Sequence, residues 1–165
     1  MLHQKLIAGE QPGTYLVTDI VTDDDLLSIA QAIARQKLAK GVAITDKQLA
    51  QQALQGLLQT REREVFAALF LDNQHRILAY EELFLGTLSA ATVHPREVVK
   101  SALYHNAAAL MLVHNHPSGH PEPSRADIEL TQRLRDALAL VDIRTLDHLV
   151  VGTEGVVSLA ERGHL

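Results

Sequence analysis

Alternating helix-like and strand-like segments mark this chain as an α/β protein, a mixed β-sheet with helices packed on its faces. Two apolar, β-rich runs at residues 64–72 and 77–83 are joined by a short polar stretch with Asn73 and Gln74, the pattern of a hairpin. A third apolar run, 107–113, lies between two amphipathic segments and fits a buried strand. With 47% hydrophobic but only 4% aromatic residues, the core must be built from Leu, Val, Ile and Ala.

In chain order, residues 1–18 look irregular or partly extended, punctuated by Pro12 and Gly13. Thr22, followed by three aspartates, reads as a helix start, because carboxylates in the first turn favour the helix dipole. That helix should run to about Gly41 with Leu26, Ile29, Ala30, Ile33 and Leu38 on its apolar face. Thr45 or Asp46 then caps a second helix over 46–62, with Leu49, Ala53, Leu57 and Leu58 inward. After the hairpin, residues 86–95 read as a loop or short strand, and a helix starts at Pro95. A helix from Ser124 to about residue 141 follows the third apolar run. The last strands are 145–152 and 156–163, flanking a turn at 153–155. Length fits one domain with an extension: residues 1–42 as an N-terminal extension with one amphipathic helix, and 43–165 as the main domain. The extension's helix is expected to pack on the domain, with docking against a second copy or a partner as the alternative.

The stretch 112–127, LVHNHPSGHPEPSRAD, carries the chemistry. Residues i and i+2 of a strand face the same side, so His114 and His116 can reach one metal ion. The prolines and Gly119 between the histidines and Ser124 force a loop that can fold back. Ser124 reads as a helix N-cap, which puts Asp127 in the first turn. Two neutral nitrogens and a carboxylate, with a fourth position left for water, form the catalytic type of zinc site. A lone H-x-H pair is more often accidental or structural; here the whole string H-x-H-x7-S-x2-D raises its weight.

That string resembles the JAMM signature of the MPN-domain metalloproteases. Together with the flanking VHPREVVKSALYHNAAALMLV and LDHLVVG, it is similar to the RadC-like branch of that superfamily, in a short form without a helix-hairpin-helix module. The resemblance spans residues 43–165. It implies the MPN/JAMM, cytidine-deaminase-like architecture, one zinc per chain on His114, His116 and Asp127, and a Ser124 that helps polarise a scissile carbonyl. Asn115 stands where eukaryotic members carry Ser or Thr, and agrees with the HNHPSG of the RadC-like branch. The signature also calls for an earlier glutamate as general base. Glu64, at the start of the strand-like run, is the choice over Glu62, Glu81, Glu82 and Glu97. Glu97 is readily explained as a first-turn carboxylate.

The activity implied is zinc-dependent hydrolysis of a peptide or isopeptide bond in a protein or peptide substrate. Iron, manganese or cobalt would suit the same donors. Two other readings stand beside it. The family's association with DNA repair and mobile elements suggests DNA binding, which a net charge of −5 and a pI near 6.0 do not support. A metal-stabilised interaction module without catalysis is the third, and a homodimer fits any of them. The absence of cysteine excludes disulfides and thiolate ligands and suits a reducing compartment. No apolar run reaches the roughly 18 residues that span a membrane. The N-terminus lacks signal-peptide character, so the cytoplasm is expected. Of the other histidines, His148 is read as buried and hydrogen-bonded, or as a support behind a ligand, with Asp147 the acceptor if it faces inward. His120 is expected to be exposed and His94 to lie in a turn. His3, His75, His105 and His164 carry no spacing argument.

Overall fold

Short polar caps start most of the helices, and β-branched or apolar runs fill the strands between them. The computed structural model describes residues 2–86 and 92–165. In chain order its elements are β1 (Leu6–Ala8), β2 (Tyr15–Val17), α1 (Asp23–Lys37), α2 (Lys47–Leu58), β3 (Val65–Leu71), β4 (Ile77–Leu85), α3 (Pro95–Tyr104), β5 (Ala109–Asn115), α4 (Arg125–Ala139), β6 (Arg144–Gly152) and β7 (Gly155–Ser158). Half of the expected loop or strand at 86–95, residues 87–91, falls outside the described residues.

The main sheet has the order β4-β3-β5-β6-β7. Strands β5 and β6 are parallel and every other pair is antiparallel, which makes the sheet mixed. Strands β3 and β5 are buried along their whole length. Both faces are covered, which explains why these runs are continuously apolar rather than alternating. On one face Ala67, Leu69, Met111, Val113, Leu149 and Val151 pack against Ala53, Leu54 and Leu58 of α2. On the other, Phe66, Ala68, Phe70, Leu110 and Leu112 pack against Val98 and Ala102 of α3 and Leu134 and Leu138 of α4. This is the α/β class read from the sequence.

The caps follow the sequence closely. Thr22 and Asp25 form a capping box on α1, and Asp46, rather than Thr45, caps α2. Ser124 caps α4 in a second box closed by Asp127. The expected inward faces of α1 and α2 need correction. Leu26 is 55% exposed and Leu49 is 44% exposed, while Ala34, Ala50 and Leu54 are buried in their place. Helix α1 packs mainly on α2, so only its C-terminal end, Ala34 and Leu38, joins the core. Helix α1 also ends at Lys37, short of Gly41. The N-terminal segment is more ordered than expected: β1 and β2 pair antiparallel, Leu6 opposite Val17. Strand β7 is shorter than the run 156–163 suggested. Among the described residues no helix is long and apolar enough to cross a membrane.

Candidate metal centre

Strand alternation sends Leu110, Leu112 and His114 of β5 to the face covered by α3 and α4. His116 follows on the same side, just past the strand end. The proline-rich loop returns the chain to the capping box of α4, whose first turn presents Asp127. As a result one donor atom each of His114, His116 and Asp127 lies within 4.8 Å of the others. The Nε2 atoms of the histidines are 3.1 Å apart. Asp127 Oδ1 lies 3.4 Å from His114 Nε2, and Oδ2 lies 3.4 Å from His116 Nε2.

The surrounding hydrogen bonds fix which nitrogen of each ring carries the proton. Asp127's backbone carbonyl can only accept, so the Thr131 hydroxyl, 2.6 Å away, must donate to it. The Thr131 oxygen is then the acceptor for His148 Nδ1–H at 2.5 Å. His148 is fully buried, which pushes its pKa well below the usual histidine value and keeps it neutral. Its Nε2 therefore has a free lone pair, which accepts from His114 Nδ1–H at 2.8 Å. His114 is left with an unprotonated Nε2 facing Asp127. His116 is oriented more simply: its Nδ1 donates to the His120 carbonyl at 2.9 Å, which turns its Nε2 to the same point. Both histidines thus have an outer partner that orients the ring, the arrangement metal-binding histidines normally have.

Burial works against the charge of Asp127, but a proton on a facing imidazole Nε2, together with the Ser124 hydroxyl, holds its carboxyl far below the usual carboxylate range. The same carboxylate, more than offsetting burial, raises the pKa of His116. Three electron-pair donors turned on one point call for a proton or a cation among them, and their N2O chemistry fits a divalent ion. A metal there would compete with the proton on His116, so affinity should rise with pH.

A cleft of about 620 Å³ opens over these residues, and Glu64, Phe66, Ser124, Leu130 and Arg133 line it. The β3–β5 register pairs Phe66 with His114. Glu64, two residues before Phe66, lines the same cleft, and its charge is among those acting on His116. Ser124 is engaged with Asp127, its hydroxyl donating to Oδ2 at 2.7 Å while accepting from Asp127 N at 3.1 Å. Glu62 is exposed beside β3, and Glu82 is ion-paired with Arg61. Glu81 is bound to Ser101 and His105, and Glu97 lies in the first turn of α3.

Asp147 is not the acceptor behind a ligand. It points to the opposite face of β6 from His148 and accepts from Ser158 Oγ, two backbone amides and Lys47. Sequence reading also passed over Thr131 and gave Asn115 no work. His120 is exposed, as expected, and His94 is the N-cap residue of α3.

A family model described as a RadC-like JAB domain matches residues 44–164. The UPF0758 protein of Thioalkalivibrio sulfidiphilus is 57% identical over 140 residues, covering 85% of this chain and 62% of that protein. That of Nitrosococcus oceani is 60% identical over 128 residues, 78% of this chain and 57% of the relative. That of Vibrio cholerae is 56% identical over 138 residues, 84% of this chain and 62% of the relative. The chain therefore spans about three fifths of the length of the curated relatives it matches. With a mixed five-stranded sheet, helices on both faces and a His-His-Asp group able to hold a metal, the chain belongs to the RadC-like JAB-domain family.

Proposed function

We propose that this chain is a zinc-dependent hydrolase of the JAMM type that cuts a peptide or isopeptide bond with an activated water. The observation that carries the reading is the convergence of His114, His116 and Asp127 at the floor of a cleft that Glu64 also lines. Bound to those three residues, zinc would supply Lewis acidity and a water whose pKa falls towards about 7. Glu64 would accept the proton of the attacking water and deliver it to the leaving nitrogen, acting first as base and then as acid. Phe66 and Leu130 wall the cleft and would keep bulk water from the reacting bond. Ser124 would donate to the carbonyl oxygen as negative charge develops there. To do so its hydroxyl must exchange the bond it makes to Asp127. His148 and Thr131 would act behind His114, keeping its Nε2 available.

Elemental mass spectrometry of the purified protein and of His116→Ala is the first test. About one zinc per chain, lost in the variant, is expected. Hydrolysis of mixed peptides and of a lysine-isopeptide substrate is then followed for wild type and Glu64→Gln. The variant should keep zinc and lose turnover. A protein that stays metal-free when zinc is supplied, or a Glu64→Gln variant that loses its zinc, would contradict these roles. Zinc without turnover on any amide would favour an interaction module.

A further inference from the structure

We infer that Asn115, the residue between the two histidines, is a positioning residue that aims Glu64 at the metal site. The inference rests on reading Glu64 as the proton acceptor. Alternation along β5 turns Asn115 to the sheet face opposite His114, the α2 face, where it is 1% exposed. Burying a primary amide among apolar side chains is costly unless its hydrogen-bonding groups are matched. Here all the matching groups belong to one segment. Oδ1 accepts from Val65 N–H at 2.7 Å. Nδ2 donates to the carbonyls of Arg63 at 3.1 Å and Arg61 at 3.4 Å.

Those contacts bracket Glu64. The Arg63 carbonyl belongs to the peptide before its Cα and the Val65 N–H to the peptide after it. One side chain therefore pins both peptide planes that set the direction of the Glu64 side chain. The segment needs such a pin, because Arg61, Glu62 and Arg63 are exposed and lie outside helix and strand. The sheet supplies only part of it: on the β4 side Gly86 N–H bonds the Glu64 carbonyl at 2.7 Å, but on the β5 side the pairing stops short. Pairing of β3 with β5 ends at Phe66–His114, whereas β5 continues along β6 to Asn115–Val151. His116 N–H then bonds Val151 O at 2.8 Å. The strand that delivers the ligands leaves β3 at the level of Glu64, and the Asn115 carboxamide bridges the gap. Ligand spacing and base placement are thereby coupled through three consecutive residues.

The test loads wild type, Asn115→Ser, Asn115→Ala, Glu64→Gln and the Glu64→Gln/Asn115→Ser double variant with cobalt(II). Metal affinity and the pH midpoint of the visible spectrum are then recorded. A nearby carboxylate shifts ionisation at the metal, so Glu64→Gln should move the midpoint. Asn115→Ser should move it the same way by at least half as much, with metal affinity held within about threefold. The double variant should match Glu64→Gln alone. With any peptide the wild type hydrolyses, kcat of Asn115→Ser should fall about 100-fold at nearly constant KM, as expected for a displaced catalytic group. A wild-type midpoint in Asn115→Ser, when Glu64→Gln shifts it, would overturn the positioning role and leave the Glu64 reading intact. A midpoint that Glu64→Gln leaves unchanged overturns the Glu64 reading, and this inference with it. Should neither Asn115 variant fold, amide exchange in the unaltered protein decides: Val65 N–H must exchange as slowly as the interior of β3. Exchange at loop rates would overturn the inference.

Discussion

His114 Nδ1 lies 2.8 Å from His148 Nε2, so one buried histidine serves as the hydrogen-bond acceptor of another. The arrangement works only because Thr131 occupies the far side of His148 and is itself committed to the Asp127 carbonyl. His148 also meets Phe66 edge-on at 5.4 Å between ring centroids, so its ring is packed as well as bonded. Replacing His148 by Phe keeps an aromatic ring and removes the acceptor. Metal affinity should fall about 10–100-fold, the usual cost of losing an outer partner. Competition with a chelator measures it. Unchanged affinity would mean that His148 does not set the protonation of His114.

A second prediction concerns pH and lies away from the metal. Burial tends to raise the pKa of Glu81, but bonds from Ser101 Oγ at 2.5 Å and His105 Nε2 at 2.7 Å outweigh it, and the net shift is downward. In the unfolded chain the group titrates near about 4.3. With the folded value lower, the stabilisation is complete above that pH and is lost as pH falls through the folded value. The carboxylate is partly exposed, so a discounted contribution of about 1 kcal/mol is appropriate. Glu81→Gln should melt about 2–4 °C below wild type at pH 7, the gap closing as the pH falls below the unfolded value of about 4.3. Thermal melts across that range decide it, and a gap that does not change with pH would refute the assignment.

Local chemistry was legible in the sequence wherever cause and effect lie within a few residues. Thr22, Asp46 and Ser124 start helices because the groups they cap are two or three positions away. His114, His116 and Asp127 come together because strand alternation and a capped helix turn are both short-range rules. His148 could be read as a buried support, but the partners of the supporting residues were not legible, for the opposite reason. His148 is 34 positions from His114, and Asn115 is 50 from Val65, and both pairings depend on strand order, which periodicity does not encode. Asp147 was the plausible neighbour in sequence, yet pleating turns it to the other face. The exposed Leu26 and Leu49 show the same limit: a helical stripe gives a face but not what packs against it. Strands β1 and β2 have three residues each, too few for an alternation to register.

Ser124 has two tasks, which two readouts on one substitution can separate. Its oxygen caps α4 through Asp127 N–H, and its hydroxyl donates to Asp127 Oδ2. Ser124→Ala loses both and should cost about 0.5–2 kcal/mol of stability through the cap. Metal affinity should drop about tenfold, because Asp127 keeps only its bond from the Ser124 backbone amide at 2.7 Å. Ser124→Thr keeps the hydroxyl and should retain most of both. If Ser124→Ala melts lower but binds metal as tightly as wild type, the backbone amide alone holds the ligand.

Two glycines should respond in opposite ways to the same added methyl. A Cβ on Gly152 would lie 2.1 Å from the carbonyl oxygen of Gly119 and 2.6 Å from its carbonyl carbon, both backbone atoms. Gly119 sits at φ +93°, so the loop cannot readily absorb the clash there. The loop must lift, and His116 lifts with it, because its ring is held by the His120 carbonyl within the same turn. Gly152→Ala should therefore weaken metal binding by at least about tenfold, since ligand geometry tolerates little displacement. On α2, a Cβ at Gly56 would meet only Ala34 Cβ at 3.7 Å, an ordinary contact. Gly56→Ala removes the entropic cost of an interior helical glycine and should stabilise by about 0.5–1 kcal/mol, raising the melting temperature by about 1–4 °C. It should leave metal affinity unchanged. Calorimetry and chelator competition on the two variants test the packing of α1 on α2 and of the ligand loop on β6 independently. A destabilised Gly56→Ala would mean that α1 lies closer to α2 than described, and a Gly152→Ala that binds metal normally would mean that the loop moves without carrying His116.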